Sequence, residues 1–413
     1  MKNLRINRRT FVSIVALLLT LTIQAQDSEL NLLKESGAGK LYETNGFLVP
    51  VLTGSSKEMG EQYGTLMGDY LQKAWDIVVQ PGVKAGAITD EVMEQVTQRA
   101  YSTASTRNKL FYEGVAEGSG WSLNKVCMLD QVMEFGIYQS KIHSFAGCTS
   151  IMSWGGHSTD GGMYTGRNMD WSEEFCKFPT VLTVRCPNDG SYKFATTGWP
   201  GMYCAFTAIN EHGVYLDVHD GTSMGGSLVY FNRPSILNSL TDLMSESASF
   251  SALVSKLNGM QNSTSMILSV ADENGAGSME CSSLGGNRLR SPEGESMAVV
   301  NTFLGDNWGL GKRETVSNSL RRYANMTDRL AENKGKVDAQ VVRDIMDLRI
   351  FNPDGSFAEN GGATKPAKQD ADLTNYQMVC DVKNRQVWLK IPVPDYFADW
   401  TKIDLNKLWG DNE

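Results

Sequence analysis

Apolar positions along the 413-residue chain change period twice, and the changes mark three stretches. In the first, Lys2, Arg5, Arg8 and Arg9 precede an apolar run from Phe11 to Ile23 that is too short to span a bilayer. Ile23 and Ala25 then resemble a signal-peptide cleavage site, so residues 1–25 are expected to be removed near Gln26 and the protein exported to the periplasm or beyond. A retained anchor is the competing reading. The second stretch, residues 26–147, is expected to be helical. Ser55 with Glu58 forms a capping box, and Met59, Tyr63, Leu66, Met67, Tyr70 and Leu71 recur at helical spacing until Pro81 stops the run. Another helix is expected from Thr89 and Asp90, with Val92 and Val96 on one face. After the glycines of EGVAEGSGW, the run LNKVCMLDQVMEFGIY resumes the apolar pattern.

From Cys148 onward, residues 148–413, the period becomes two. TSIMSW, GGMYTGRN, TVLTVRC, YKFATTGW, YCAFTAI and GVYLDVHD read as strands separated by turn sequences such as STDGG and CPNDG. Helices are expected over about 235–258 and 315–333, with strands SMILSVAD and SMAVVNTF between them and Asn274-Gly275 as a hairpin turn. The hairpin QMVCDVKNRQVWLKI closes the pattern. Sheet blocks alternating with helix blocks predict an α+β layered domain rather than a βαβ series.

Charge narrows the partners. Residues 1–25 carry four basic and no acidic side chains, so their removal takes the net charge from −9 to −13. An acidic surface repels nucleic acid and anionic membrane at long range. No later segment is apolar enough to cross a membrane, and homo-oligomerisation stays open. Cysteines stand at 127, 148, 176, 186, 204, 281 and 380, an odd number with no CxxC or Cys/His ligand spacing. Most read as small buried hydrophobes.

Cys148 stands apart, in FAGCTSIMSWGGHSTDGGMYTGRNMDW. With Asp160 and Gly161 at the centre of a two-residue turn, Asp170 falls opposite Ile151 and Cys148 opposite Glu173; a longer turn moves the register by a residue or two. Either way Arg167 and Asp170 share an end of the hairpin with Cys148. A thiol must ionise to attack an acyl carbon, and none of the four histidines, at 143, 157, 212 and 219, lies in a cysteine-protease context. The α-amine that Cys148 would expose after cleavage of Gly147-Cys148 can serve instead, because it titrates near ~8 and a neighbouring cation lowers it. Gly147 gives that bond the freedom an N-to-S acyl shift needs. Arg167 would hold the thiolate by charge and Asp170 would orient the amine. A buried cysteine beside an ordinary Arg/Asp strand pair is the bland alternative.

CTSIMSW followed by GRNMDW resembles the nucleophile hairpin of the cysteine N-terminal-nucleophile hydrolases, linear amide C–N hydrolases that include conjugated bile acid hydrolase, penicillin V acylase, acid ceramidase, N-acylethanolamine amidase and isopenicillin-N acyltransferase. The upstream EGVAEGSGWSLNKVCMLD, running on to GCTS, is most similar to the last branch. The resemblance implies a four-layer αββα sandwich, an N-terminal helical propeptide or α-subunit, autoproteolysis before Cys148 and no cofactor. It makes Cys148 the nucleophile, with Arg167 and Asp170 as its partners. Asn301 in AVVNTF matches the asparagine that contacts the reacting group, and Arg322 in SLRRYAN matches a later arginine, with Arg321 its rival. One position departs: Asp220 in DVHDG replaces an asparagine that helps bind the oxyanion. An ionised aspartate would repel that charge, so Asp220 is protonated, backbone N–H groups do the work, or the substrate differs.

The expected activity is hydrolysis of a small N-acyl amide through an acyl-thioester on Cys148. An acyltransferase and a silent binding protein of the same fold are the alternatives. GTSMG, Gly221 to Gly225, matches a serine nucleophile elbow, but GSLVYFNRP after it reads as strand and turn and every histidine precedes Ser223. Asp217, His219 and Asp220 form one patch without a second ligand cluster, which reads as a polar strand end beside a cleft.

Overall fold

The dipeptide Asn45-Gly46 takes positive φ at both positions, 45° and 82°, the turn geometry that matches the twist of two antiparallel strands. It joins two strands in a stretch where helix was expected. The computed structural model describes residues 29–140, 147–315, 319–347, 372–392 and 399–410, so the expected signal peptide lies outside the described residues. Residues 26–147 are therefore not helical throughout. They open with β1 (Asn31–Ser36), β2 (Gly39–Thr44) and β3 (Phe47–Gly54) before the helices begin. The short alternating segments GKLYET and GFLVPVLTG carry strand period, and the Asn-Gly turn sets their register, Thr44 opposite Phe47.

The remaining strands are β4 (Thr149–Gly155), β5 (Gly161–Ser172), β6 (Val181–Pro187), β7 (Phe194–Gly198), β8 (Thr207–Asn210), β9 (Tyr215–Asp220), β10 (Met266–Asp272), β11 (Gly275–Ser282), β12 (Gly286–Arg290), β13 (Ser296–Val299), β14 (Asp372–Asp381), β15 (Gln386–Lys390) and β16 (Thr401–Asp404). They form a ten-stranded sheet, ordered β1-β2-β3-β6-β7-β8-β9-β10-β11-β12, and a six-stranded sheet, ordered β13-β4-β5-β14-β15-β16. Pairing is antiparallel except between β3 and β6, which run parallel. That exception joins the N-terminal piece to the rest of the large sheet.

Alternation along β3 shows how the layers are sewn. Phe47 and Val49 pack between the two sheets with Met152, Met163, Leu182 and Met378, whereas Leu48 and Leu52 point the other way, toward the helices. On that outer side the helices Ser56–Val78, Asp90–Thr103, Thr106–Ser119 and Ile236–Glu246 cover the large sheet. Ser55 caps the first with the reciprocal Glu58 bonds of a capping box, and Thr89 caps the second. The first ends at Val78, and Pro81 opens the short helix Gln80–Lys84 instead of only ending its predecessor. On the far face of the small sheet, helices Ser319–Glu332 and Ala339–Met346 pack Met326, Leu330, Val342 and Met346 on Ile151 and Val379.

Three turns differ from their sequence reading. The β4–β5 connection runs through Gly156–Asp160, closed by Gly155 opposite Gly161, so Ser150 pairs with Arg167 and Thr149 with Asn168. Cys148 thus sits beside Met169, four residues from the Glu173 position that a two-residue turn would impose. Between β10 and β11, Gly275 pairs with Asp272, leaving Glu273 and Asn274 at the turn. The Asp272 carboxylate accepts from the Asn274 and Gly275 N–H groups at 2.7 and 3.1 Å and holds that turn. After Thr222–Gly225, a single helical turn, GSLVYFNRP forms turns and no strand.

Gly166 of GRNMDW is needed by the packing. A Cβ there would lie 2.6 Å from Val342 Cγ1 and 2.7 Å from Met346 Cγ. Gly166→Ala should therefore destabilise the fold by ~1–3 kcal/mol, read from the urea midpoint, and a midpoint equal to wild type would show that the helix can back away.

Candidate active site

Strand period decides which way each residue near Cys148 faces. On β4, Ser150 and Met152 point between the sheets, while Thr149 and Ile151 face the helix Ser319–Glu332. On β5, Arg167 projects inward, and Asn168 reaches the carbonyl of Met346 on the helical side at 3.3 Å. Cys148, just ahead of β4, lies where these layers meet and is buried.

The Cys148 Sγ is 3.6 Å from Arg167 Nη2, 3.7 Å from Met169 Sδ and 3.8 Å from the Asp170 carbonyl. Burial pushes the thiol up, the Arg167 charge pulls it down and the Asp170 charge pushes it up again, leaving it above the ordinary cysteine value. In the uncut chain the sulfur is therefore protonated at neutral pH, and a base is required. Arg167 Nη2 also donates to the Val218 carbonyl at 2.5 Å, and its Nη1 lies 3.2 Å from Asp217 Oδ1. Burial works against the guanidinium, but Cys148 and Asp217 outweigh it and keep it cationic.

The other four predicted residues meet at the same point. Arg322 Nη1 donates to the Cys148 carbonyl and to Thr149 Oγ1, the latter at 2.7 Å, and its Nη2 donates to Asn301 Oδ1 at 3.0 Å. The helix Ser319–Glu332 buries Ser319, Arg322, Met326 and Leu330 along one stripe, which places Arg322 beside Cys148 and leaves Arg321 exposed. Asn301, two residues past β13, donates through Nδ2 to the Asp220 carbonyl at 3.1 Å. The Asp170 carboxylate accepts from Thr374 Oγ1 on β14 at 2.5 Å. Asp220 accepts the Thr222 N–H on Oδ1 at 2.8 Å, and its buried Oδ2 has no hydrogen-bond partner among the described residues. Burial raises this carboxyl from 3.8 to about 6 against the Thr222 bonds.

Beside the thiol opens a small cavity of about 40 Å³ lined by Met133, Met169, Trp171, Phe206, Leu237 and Met266, with Asp220 on its wall. Its surface is mainly apolar, and Met133 belongs to the N-terminal piece. Sequence reasoning missed a buried group behind Arg167. Asp217 and His219 are fully buried; Asp220 ends β9 and lines the cavity together with His219, as a polar strand end beside a cleft would, and the buried Asp217 is the part that reading left out. Ser150 donates to Asp217 Oδ2 at 2.7 Å, Tyr215 donates to the same oxygen at 2.8 Å, and His219 Nε2 lies 2.8 Å from Oδ1. Period two in YLDVHD places Tyr215, Asp217 and His219 on one face, the available signal. None of the seven cysteines is disulfide-bonded; five are buried, and Cys176 and Cys186 are half-buried.

No family model and no curated protein matches the chain. Among solved structures it is similar to a variant of conjugated bile acid hydrolase from Clostridium perfringens, at 13% identity and TM-score 0.41 over 64% of this chain and 94% of that chain. It is also similar to penicillin V acylase from Agrobacterium tumefaciens, at 14% identity and TM-score 0.41 over 63% and 87%. A third is the Caenorhabditis elegans N-acylethanolamine-hydrolyzing acid amidase ortholog, at 13% and 0.38 over 60% and 95%. Likeness this distant leaves the chemistry to the side chains of this chain.

Asp220 makes stability depend on pH in a definite direction. Its folded value lies above its unfolded one, so the neutral carboxyl is favoured below about pH 4 and that contribution is lost as pH rises through about 6. Between pH 4 and 6.5 the wild type should lose up to ~2–3 kcal/mol relative to Asp220→Asn. Parallel denaturation curves at both pH values would contradict the raised carboxyl.

Proposed function

We propose that this protein is an exported, self-processing hydrolase of linear amides, with Cys148 as both nucleophile and new N-terminus. The carrying observation is the contact of Arg167 with the buried Cys148 sulfur, whose other polar neighbours are Met169 and the Asp170 carbonyl. Thiol attack on the Gly147 carbonyl moves the acyl group from nitrogen to sulfur and frees the Cys148 α-amine, and water then hydrolyses the thioester, leaving the Gly147 carboxylate and the free thiol. That amine takes the thiol proton, and the thiolate under Arg167 attacks the substrate's acyl carbon. The ammonium returns the proton to the departing amine, and water, deprotonated by the same α-amine, releases the acid. Asn301 Nδ2 and the hydroxyl of a neutral Asp220 are the donors for the oxyanion, which favours the protonated reading of Asp220. The apolar cavity suits an apolar acyl group. The three stacked clusters support an αββα sandwich, and the EGVAEGSGW…GCTS segment supports a relation to the isopenicillin-N acyltransferase branch.

Residues 29–147 act in this reading as a retained subunit. β3 pairs with β6, Arg99 and Glu134 form a buried ion pair at 2.6 Å, Ser235 and Ser263 donate to that carboxylate, and the Tyr203 N–H donates to Asp130 at 2.7 Å. Except for the Arg99–Glu134 pair, which lies within the N-terminal piece and holds the carboxylate for Ser235 and Ser263, these ties cross the proposed cut. Intact mass of the purified protein should therefore show two polypeptides split between Gly147 and Cys148 that co-elute under native conditions, and Cys148→Ala should give one. A fully active wild type that stays unbroken would end this reading. Against N-acyl amides, Arg167→Ala should lose at least ~10²-fold in kcat/KM and alkylate at higher pH. Product transfer to added amines would mark an acyltransferase.

A further inference from the structure

The proposed chemistry leaves one buried ionisable group unused. Asp217 is fully enclosed between the sheets, receives hydroxyls from Ser150 and Tyr215 on Oδ2, and faces Arg167 Nη1 with Oδ1. Its contact with Arg167 at 3.2 Å is not aligned as a hydrogen bond, and neither Nη1 nor Nε of Arg167 has a hydrogen-bond partner among the described residues. The pair is bound through charge, without a locked fork. On its other side the same guanidinium faces Cys148 Sγ at 3.6 Å. One sealed cation thus has two anionic neighbours when the thiol ionises.

We propose that Asp217 is a positioning residue that competes with the Cys148 thiolate for the guanidinium of Arg167, so that the charge on the nucleophile is governed from β9. With the thiol protonated, Asp217 neutralises Arg167 and the pocket carries no net charge from these three groups. With the thiol ionised, two anions share one cation, and each weakens the other's hold. Burial holds the His219 imidazole down, so it enters this balance as a neutral contact to Asp217. The further groups facing the pair are Asp170 on β5, Tyr215 on β9, Tyr376 on β14 and Arg322 on its helix. Tyr215 tunes the competition by drawing charge density onto its own hydroxyl.

The inference rests on Cys148 being the nucleophile, but its test needs no substrate. Iodoacetamide is the probe, and peptide mass spectrometry reads alkylation at Cys148 alone as a function of pH. Asp217→Asn should move the midpoint down by about one pH unit, a tenfold larger thiolate fraction below it, because an opposing charge is gone while the hydroxyl of Ser150 keeps a partner. Tyr215→Phe should move it up by a few tenths, because the carboxylate then binds Arg167 more tightly. A midpoint that is unchanged or higher in Asp217→Asn overturns the competition and leaves a structural role. Should Asp217→Asn fail to fold, Tyr215→Phe decides alone: an upward shift supports the proposal, and an unchanged midpoint overturns it. An unbroken, active wild type would sink the reaction scheme separately, since these midpoints are measured on either form.

Discussion

A guanidinium sealed between two β-sheets is the constraint around which this site is arranged. Transferring an ion of that kind out of water costs several kcal/mol, and only fixed partners of opposite sign or good hydrogen bonds offset it. Arg167 has the Val218 carbonyl, the Asp217 carboxylate and the Cys148 sulfur around it, supplied by β9 and by the residue preceding β4. The two sheets must therefore stack in one register. A slip of one residue in β5 would turn the arginine to the helical side, where Asn168 and Asp170 now make contacts with Met346 and Thr374. Gly166 is the companion of this arrangement, letting the helix Ala339–Met346 approach the strand that carries the cation.

How much of this was legible follows the range of each signal. Helix starts depend on residues three apart, so the Ser55 and Thr89 caps could be read directly. The hairpin after Cys148 was also readable, and with it the nearness of Arg167 and Asp170, because both partners lie within one local unit. Its register was not, because the glycines and polar residues of GGHSTDGG allow several turns, and the closure of Gly155 on Gly161 depends on tertiary packing. β1 to β3 were legible in principle through Asn45-Gly46, but the helical pattern that follows drew the whole segment into one class. Asn301 and Arg322 came from the family resemblance alone. Nothing local indicates that the helix Ser319–Glu332 lies across the end of β4. Asp217 and His219 share a face by strand period, yet only the stacking of the sheets shows that the face meets Arg167.

In the proposed reaction Asp220 is an acidic side chain standing where a neutral donor is required. Its Oδ2 is buried without a partner among the described residues, and its raised value keeps a proton within reach near pH 6. A carboxyl group in that state offers a hydroxyl to an incoming oxyanion, as an amide would offer N–H. The proposed scheme thus ties one of its oxyanion donors to acidity. Asn301 and Arg322, linked to each other and to the backbone of Asp220 and Cys148, hold the frame in either state.

The parallel pairing of β3 with β6 has a thermodynamic meaning that outlasts any single turnover. β3 lies inside the large sheet, between β2 and β6, so the polypeptide before residue 148 supplies an interior strand as well as helices that cover the sheet. While the backbone is continuous, assembling that sheet is a first-order event whose loop-closure entropy is fixed by the connecting chain. If the backbone is severed as proposed, the same assembly becomes second-order, and the recovered fraction depends on dilution. In that scheme the sheet has to be complete before the link is lost. A cut molecule that is denatured would return slowly or not at all, and its working lifetime would be set by an unfolding barrier instead of an equilibrium.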